Sequence, residues 1–420
     1  MLKPKGTYDL YGTDAKVYEY LLDIFKGICE TACFSYIKTP TFENTELFHR
    51  SVGEETDIVS KETYNFKDRS DRNLTLRPEG TAGVVRALVE NKLYANTIDY
   101  LKYYYYGSMF RYERPQKGRF REFSQFGVES FGPMNPYIDA EIINIGYSYF
   151  TNLGLKDIVV KINNLGTKEE RNDYKNKLIE YMNKYEDELC EDCKRRIKTN
   201  PLRVLDCKIC SKKDFFKNTP KLSDSLTNES KKYFDELLEI LNNIEIKYEL
   251  DDNLVRGLDY YDYCVFEFIT NDERLGGANT ICGGGRYNGL VKELGGPDLS
   301  GCGFAIGYER LKELCEAIDI TKYLIEEPLI YVIPVSNGDV DDAFIIGESL
   351  REIPYKTYID YRDIKLNKKL ANADKLNAKF IIIMGEEERK KYSVILKDAL
   401  TKEERLISIN NLTDELNILM

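Results

Sequence analysis

The sequence contains a single histidine, His49, and it lacks other features that would define a class of protein. One histidine excludes a metal site with several histidine ligands. No apolar run reaches the ~20 residues of a membrane-spanning helix. Residues 1–6, MLKPKG, lack the apolar core of a signal peptide. We therefore expect a cytoplasmic protein that does not insert into a membrane.

A surplus of positive charge is also missing, because the net charge of the 420 residues is −11 at pH 7. An acidic balance argues against a protein that binds polyanions over its whole surface, but it leaves room for a local basic groove. The hydrophobic share of 42% and the charged share of 31% are typical of a globular protein. The length predicts two or three domains.

Residues 110–132, FRYERPQKGRFREFSQFGVESFG, read as two extended arms joined by a turn at residues 115–118. Side chains alternate between the faces of a strand, so each arm has a polar face and an apolar face. A polar face of this kind suits a site that binds phosphate and a flat ring, or it is a solvated face with ion pairs. The predicted polar face carries Arg111, Glu113, Arg121, Phe123, Gln125 and Glu129, and the predicted core face carries Phe120, Phe126 and Val128.

A strand, a turn and a helix are predicted over residues 72–90, with Glu79 and Thr81 at the start of the helix. The free N–H groups of a helix start favour anions. The alternative is that these two residues only make the capping bonds of their own helix.

Further along the chain, residues 253–268 have strand character interrupted by Arg256 and Gly257, and by Tyr260 and Tyr261. The interruption is either a bulge or an anion-binding arginine beside ring hydroxyls. Arg310 lies near the start of a helix, where a cation opposes the helix dipole, so an anionic ligand would explain it.

Four of the ten cysteines form two C-x-x-C pairs, Cys190 with Cys193 and Cys207 with Cys210. This spacing is typical of a structural zinc site with only thiolate ligands. The alternative is four unligated thiols. The surrounding residues 166–250 are rich in Lys, Asn and Glu and are predicted to be largely helical. After residue 328, strands alternate with helices, which predicts a small α/β domain with a mostly parallel sheet.

Taken together, these segments resemble the histidyl-tRNA synthetase family of class II aminoacyl-tRNA synthetases. Residues 110–132 and GCGFAIGYERL at 301–311 match the class, whereas LRPEGTAG at 76–83 and LVRGLDYY at 254–261 are specific to the histidyl family. The resemblance covers the whole length. It implies an α+β catalytic domain built on an antiparallel sheet over residues 1–325, with a mainly helical, cysteine-containing insertion at about 166–250. A small α/β anticodon-binding domain over residues 326–420 would follow.

The resemblance also implies the reaction and the site. L-histidine is activated with ATP and Mg²⁺ to histidyl-adenylate and pyrophosphate, and histidine is then transferred to the 3′ end of tRNA(His). Arg111 and Arg256 would be catalytic. The implied histidine-binding residues are Glu79, Gly80, Thr81, Arg111, Gln125, Glu129, Arg256, Tyr260 and Tyr261. The implied ATP-binding residues are Arg111, Glu113, Arg119, Phe123 and Arg310.

A homodimer is implied by the class, with residues 14–42 as its expected contact. Two rival interpretations remain open at this point. One is the regulatory subunit of ATP phosphoribosyltransferase, which shares the catalytic fold but lacks the anticodon domain and has a degraded site. The other is a non-catalytic RNA-binding or scaffold protein. Retention of the C-terminal domain and of Arg256 argues against the first. The cost of burying unused charges argues against the second.

Overall fold

An eight-stranded sheet forms the centre of the first of two units, which are Met1–Leu324 and Ile325–Met420. The computed structural model describes residues 1–53, 56, 58–96, 100–156, 158–205, 207, 209–270, 280–324, 327–353 and 355–419. In spatial order the strands are β1 (Ser35–Tyr36), β5 (Leu101–Phe110), β6 (Glu122–Gly132), β11 (Ser300–Gly307), β10 (Thr280–Tyr287), β9 (Asp262–Thr270), β7 (Ile158–Asn164) and β8 (Tyr248–Leu250). The strand pairs are antiparallel except at the two edges, where β1 and β8 pair in parallel. The predicted antiparallel sheet is confirmed.

A small second sheet and the helices surround this large sheet. The small sheet contains β2 (Phe42–Asn44), β4 (Asn73–Leu76) and β3 (Tyr64–Lys67). The helices are α1 (Gly12–Thr31), α2 (Thr45–Val52), α3 (Thr81–Glu90), α4 (Pro136–Asn152), α5 (Lys168–Asn183), α6 (Glu191–Thr199), α7 (Asn228–Asn243), α8 (Leu290–Glu293) and α9 (Tyr308–Ala317). Residues 166–250 contain α5, α6 and α7, in agreement with the predicted helical insertion.

Local signals in the sequence start two of these helices. Asn135 caps α4 by accepting a hydrogen bond of 3.0 Å from the N–H of Tyr137, and Pro136 occupies the first turn. Thr167 and Glu170 form a reciprocal capping box at the start of α5. Each motif satisfies backbone N–H groups that a helix start leaves without partners.

The alternation predicted for the second arm of the hairpin is correct within β6. Phe126 and Val128 are fully buried in the core against α1 and α4. Phe120 was expected on the same apolar face, and this was wrong. Its ring lies 5.1 Å from that of Tyr8, and it is only half-buried. Because β5 ends at residue 110 and β6 begins at residue 122, strand alternation does not extend through the loop.

A buried ion pair fixes the sheet to α4. Arg286 on β10 is 1% exposed and Asp139 on α4 is fully buried. The Arg286 Nε donates to both oxygens of Asp139 at 3.0 and 3.1 Å. Burial disfavours the charged guanidinium, but Asp139 outweighs this effect and raises the pKa of Arg286.

The second unit has a five-stranded sheet in the order β13 (Thr357–Ile359), β12 (Leu329–Pro334), β14 (Ala378–Met384), β15 (Ser393–Asp398) and β16 (Glu404–Ser408). Its helices are α10 (Val340–Glu352), α11 (Leu366–Lys375), α12 (Glu386–Lys390) and α13 (Leu412–Leu419). Alternate residues of β12, such as Val332 and Ile333, enter separate cores on the two faces of the sheet.

The α/β character of this unit is confirmed, but the expectation of a mostly parallel sheet is wrong. β12 pairs in parallel with β13 and β14, whereas β15 and β16 add antiparallel pairs. A parallel pair needs a long crossover connection between its two strands. Only the short α12 separates β14 from β15, which is too little chain for such a connection. Among the described residues, none of the helices has the length and apolar character needed to cross a membrane.

The buried pair predicts a large loss of stability when one partner is removed. Arg286→Leu leaves the Asp139 carboxylate buried without its cation, and we expect the free energy of unfolding to fall by about 3–5 kcal/mol. Urea unfolding followed by circular dichroism measures this change. The control is Lys292→Ala, which breaks an exposed pair with Asp298 and should change the free energy of unfolding by less than about 1 kcal/mol. Equal effects of the two substitutions would contradict the assigned role.

Candidate active site

One cavity of about 500 Å³ lies over β6 and β10, on the side that carries Phe123 and Gln125. The loop after β5, the segment before β9 and the start of α9 complete its walls. Arginines outnumber glutamates in the lining, which favours an anionic ligand. The structure brings seven of the sequence-predicted residues to this one cavity: Arg111, Glu113, Arg119, Phe123, Gln125, Arg256 and Arg310.

Arg256 is the most constrained of these cations. Its guanidinium forms an ion pair with Glu267 on β9 and lies 5.9 Å from the ring centre of Tyr261. A Cβ atom at Gly283 would overlap this guanidinium, so the glycine makes room for it. Burial disfavours the charged form, but Glu267 outweighs it and the pKa of Arg256 is raised. The Nε atom is buried and makes no hydrogen bond within the described part of the chain. Arg256 is therefore a cation that Glu267 and the space at Gly283 hold in one position.

Arg111 and Phe123 form a second pair in the cavity. The guanidinium carbon of Arg111 lies 5.2 Å from the centre of the Phe123 ring. The Arg111 Nε donates to the carbonyl oxygen of Pro78 at 2.9 Å, which ties the hairpin to the turn before α3. A cation beside a flat ring can contact an anionic group and an aromatic group of the same ligand.

Arg310 lies in the first turn of α9, on another wall of the cavity. Its guanidinium donates to the carbonyl oxygen of Thr280 at 2.6 Å. Burial, and then the nearby charge of Arg119, lower the pKa of Arg310. Arg119 is itself paired with Glu113 at 3.0 Å. This end of the cavity therefore carries more than one guanidinium, and an anion would relieve their repulsion.

The carboxyl group of Glu129 does not line this cavity and is 1% exposed. It accepts hydrogen bonds from the hydroxyl groups of Thr81 at 2.6 Å and Tyr105 at 3.4 Å, and from that of Tyr287. Burial raises the pKa of Glu129 to about 8, although the hydroxyls of Thr81 and Tyr287 partly offset this. Such a group can change its protonation state near neutral pH.

Glu79 is a second buried carboxylate. It makes capping bonds at the start of α3, which was the alternative interpretation of this residue in the sequence. It accepts from the N–H groups of Thr81 at 2.7 Å and Ala82 at 2.8 Å. Burial raises its pKa, while these backbone donors lower it in part. Gly80, the cap residue before α3, is also buried, and a Cβ atom there would overlap the ring of Tyr105.

The predicted histidine-binding residues therefore do not all line the main cavity. Gln125 does, and its Oε1 atom is buried and makes no hydrogen bond among the residues described. Tyr260 and Tyr261 line a neighbouring cavity of about 260 Å³, together with Arg256. Four others are buried and line neither cavity: Glu79, Gly80, Thr81 and Glu129.

One expectation about local structure was wrong. Residues 253–261 do not belong to a strand, because β9 begins only at residue 262. The segment is held as a turn by Asp259, whose N–H donates to the carbonyl oxygen of Val52 at 3.3 Å. The Asp259 side chain accepts from the amide of Asn200 at 2.9 Å. These contacts with distant residues outweigh the apolar pattern of the sequence.

Two residues that contact the predicted site residues, Tyr287 and Glu267, were not predicted from the sequence. Strand parity could have found Tyr287, since residues 283, 285 and 287 of β10 share a face while Arg286 faces α4. Glu267 gave no comparable signal, because its pairing with Arg256 depends on the turn before β9.

The four predicted metal ligands Cys190, Cys193, Cys207 and Cys210 lie together, with their sulfur atoms within 4.8 Å of one another.

Comparison with known proteins gives a consistent result. A family model described as histidyl-tRNA synthetase matches residues 6–311, and a model described as an anticodon binding domain matches residues 329–418. The chain is 44% identical to a histidine–tRNA ligase of a Geobacillus species, over 98% of each chain. It is 42% identical to that of Bacillus velezensis, over 97% of this chain and 96% of the relative. The crystal structure of apo S. aureus histidyl-tRNA synthetase matches with 35% identity and a TM-score of 0.84, over 99% of each chain.

The raised pKa of Glu129 predicts that stability depends on pH. Because its folded-state pKa of about 8 exceeds the ordinary value of 4.5, the folded chain holds an extra proton between these values. Stability from this group is present at low pH and is lost as the pH rises through about 8. Relative to Glu129→Gln, we expect the wild-type free energy of unfolding to fall by at most about 1.4 kcal/mol per pH unit.

Urea unfolding at several pH values between about 5 and 8 measures this difference. The control is Glu249→Gln, which changes an exposed carboxylate on β8. A constant difference between wild type and Glu129→Gln over the interval would contradict the raised pKa.

Proposed function

The chain belongs to the histidyl-tRNA synthetase family of class II aminoacyl-tRNA synthetases and is a histidine–tRNA ligase, and from this premise we propose which of its residues hold each substrate. The enzyme activates L-histidine with ATP, releasing pyrophosphate, and then transfers histidine to the 3′ end of tRNA(His). The single observation that carries the assignment is the 500 Å³ cavity, which gathers arginines, an aromatic ring and an amide oxygen that has no partner among the described residues.

We propose that ATP occupies this cavity. Adenine lies between the ring of Phe123 and the guanidinium of Arg310, since a flat base stacks on both kinds of group. Glu113 faces the base or the ribose, and Arg119 contacts the outer phosphates. The ion pair between Arg119 and Glu113, at 3.0 Å, orients both side chains before the substrate arrives.

Histidine is proposed to lie deeper, between the ATP phosphates and Glu129. Its amino group contacts Glu79, Gly80, Thr81 and Gln125, and the unpartnered Oε1 of Gln125 supports this direction. The two imidazole nitrogens contact Glu129 and Tyr261, with Tyr260 beside them. A substrate without ring nitrogens would leave these buried groups unpaired, a penalty that can reach about 10⁴–10⁵ in discrimination.

The hydrogen bonds that Glu129 already makes affect how the imidazole can contact it. Glu129 is already bonded to hydroxyl groups and lies outside the cavity lining. Binding of the imidazole therefore adds a further partner to this carboxyl group, which has about four acceptor positions, or replaces one of the three hydroxyls. Tyr105, at 3.4 Å, makes the longest of the distances that join a hydroxyl to this carboxylate, and it is the hydroxyl that costs least to displace.

Activation needs no covalent bond to the protein. A carboxylate oxygen of histidine attacks the α-phosphorus of ATP in line, a P–O bond forms, and the bond to pyrophosphate breaks. Arg111 and Arg256 flank the α-phosphate and the histidine carboxylate in our proposal. They hold the two anions together and stabilise the negative charge that develops on the phosphoryl oxygens.

We further propose that Mg²⁺ accompanies ATP, where it would neutralise charge on the outer phosphates. Mg²⁺ is usually held by substrate phosphates, waters and one or two carboxylates. Glu267 and Glu309 both line the cavity and fit this requirement. Glu267 is paired with Arg256 and accepts from the hydroxyl of Thr280. The Oε1 of Glu309 accepts from the hydroxyl of Tyr8 and the N–H of Ser124, each at 2.7 Å, so Glu309 would hold the ion through its Oε2.

The place of action and the assembly are also proposals. Translation enzymes of this kind work in the cytoplasm, and we propose that location. A homodimer is supported by the half-exposed Tyr36 on edge strand β1 and by the exposed Phe42 on β2, both within residues 14–42. The regulatory rival is disfavoured because the α/β unit and the cations of the cavity are both retained.

The first test is ATP–pyrophosphate exchange with each of the twenty amino acids. We expect exchange with histidine alone, because only its ring offers two nitrogens to the buried partners. A folded chain that binds ATP but exchanges with no amino acid would favour the regulatory rival. Exchange with several amino acids would contradict the proposed role of Glu129.

Substitutions test the assigned residues. Arg256→Ala removes a fixed cation at the reacting phosphate, and we expect a fall of about 10²–10³-fold in the histidine-dependent exchange rate. Glu129→Ala should also abolish most activation, mainly through a higher KM for histidine. Circular dichroism checks that both variants fold. Arg72→Ala, which changes an exposed arginine, is the matched control and should exchange normally. Near-normal exchange by either test variant would remove that residue from the site.

A further inference from the structure

Four cysteine sulfur atoms converge within the helical insertion. The sulfurs of Cys190, Cys193, Cys207 and Cys210 lie within 4.8 Å of one another, and those of Cys190 and Cys207 are 3.6 Å apart. Tetrahedral zinc with bonds of about 2.3 Å separates its sulfur ligands by about 3.8 Å. All four cysteines are free, and 3.6 Å is far longer than a disulfide bond. We propose that this cluster is a structural zinc site.

Backbone geometry prepares the cluster for charged sulfur. Cys190 is the cap residue of α6 and Cys193 lies in its first turn, so the helix start brings the first pair together. The N–H of Cys190 donates to the sulfur of Cys210, and the N–H of Cys210 donates to that of Cys207, each at 3.4 Å. Donors around a ligand stabilise its thiolate form and fix its direction.

The alternative is that the four thiols only fill space as small apolar groups. Burial alone does not distinguish the two, since Cys193, Cys207 and Cys210 are buried among residues such as Leu189 and Ile197. The close approach of the four sulfur atoms does distinguish a metal site from thiols that only fill space. Among the described residues, this is the only group of at least three potential metal ligands, and none of the other six cysteines takes part.

The ligand set also identifies the type of site. Four thiolates close a tetrahedral shell and leave no position for water or substrate, so the metal is structural. Four thiolates and Zn²⁺ carry a net charge of −2. Helix α6, which contains Cys193, carries four cations, Lys194, Arg195, Arg196 and Lys198. Glu191 and Asp192 pair with Lys194 and Arg195, so Arg196 and Lys198 are the cations left to offset the charge of the site.

The cluster has a structural consequence for the active site. The loop after α6 places the amide of Asn200 on Asp259, at 2.9 Å, and a guanidinium N–H of Arg196 donates to the carbonyl oxygen of Arg203 at 3.2 Å. Arg203 lines both active-site cavities alongside Arg256. Zinc would therefore hold the loop against the segment that carries Arg256, Tyr260 and Tyr261. This part of the proposal rests on the proposed histidine pocket.

Metal analysis of the full-length protein tests the site directly. We expect about one zinc per chain in wild type, and none in Cys193→Ser and Cys210→Ser. Cys33→Ser, which changes an exposed cysteine outside the cluster, should keep its zinc. Metal-stripped wild type should take up one equivalent of Zn²⁺. With Co²⁺ it should give the intense visible bands of a tetrahedral cobalt–thiolate centre.

The wild-type measurements decide the question even if the serine variants fail to fold. Wild type that takes up neither Zn²⁺ nor Co²⁺ overturns the site. Zinc removal should raise the KM for histidine several-fold and leave the KM for ATP nearly unchanged. An unchanged KM for histidine after removal would overturn the positioning role alone. Absent exchange by zinc-loaded wild type would count against the proposed function and not against the metal.

Discussion

The buried carboxyl group of Glu129 is the constraint on which the rest of the candidate active site depends. A carboxyl group buried on β6 with no partner would cost several kcal/mol, and here three hydroxyl groups from three other elements converge on it. Thr81 belongs to the start of α3, Tyr105 to β5 and Tyr287 to β10. Gly303 on β11 leaves the room that the carboxylate occupies. One side chain thus fixes how a helix and four strands approach one another.

The cations of the cavity depend on a similar balance. Arg256 occupies space left by Gly283 and is charge-matched by Glu267, so it needs no ligand to stay in position. Arg111 is held by the carbonyl oxygen of Pro78. A site of this kind is rigid before the substrates bind, and little of the binding energy is then lost to ordering its side chains. Phosphate chemistry without a covalent intermediate depends on such fixed charges.

Residue patterns predicted the parts of this structure that depend on local periodicity. Alternation within β6 placed Phe126 and Val128 in the core and Gln125 and Glu129 on the other face, because strand geometry forces that division. Phe120 was misplaced because the strand does not reach it. The turn around Asp259 and the pairing of Glu267 were not predictable, since both depend on contacts between segments that are distant in sequence. The family motifs supplied roles that no periodicity carries.

The order of strands in the large sheet bears on how the chain is made. β6 pairs with β11, so Gln125 meets Gly307 only after the whole helical insertion has been synthesised. Until then β6 has only β5 as a neighbour, and its other edge is open to incorrect pairing. During synthesis, the hairpin of β5 and β6 therefore keeps one edge unpaired, and its polar face incomplete, until β11 has been made.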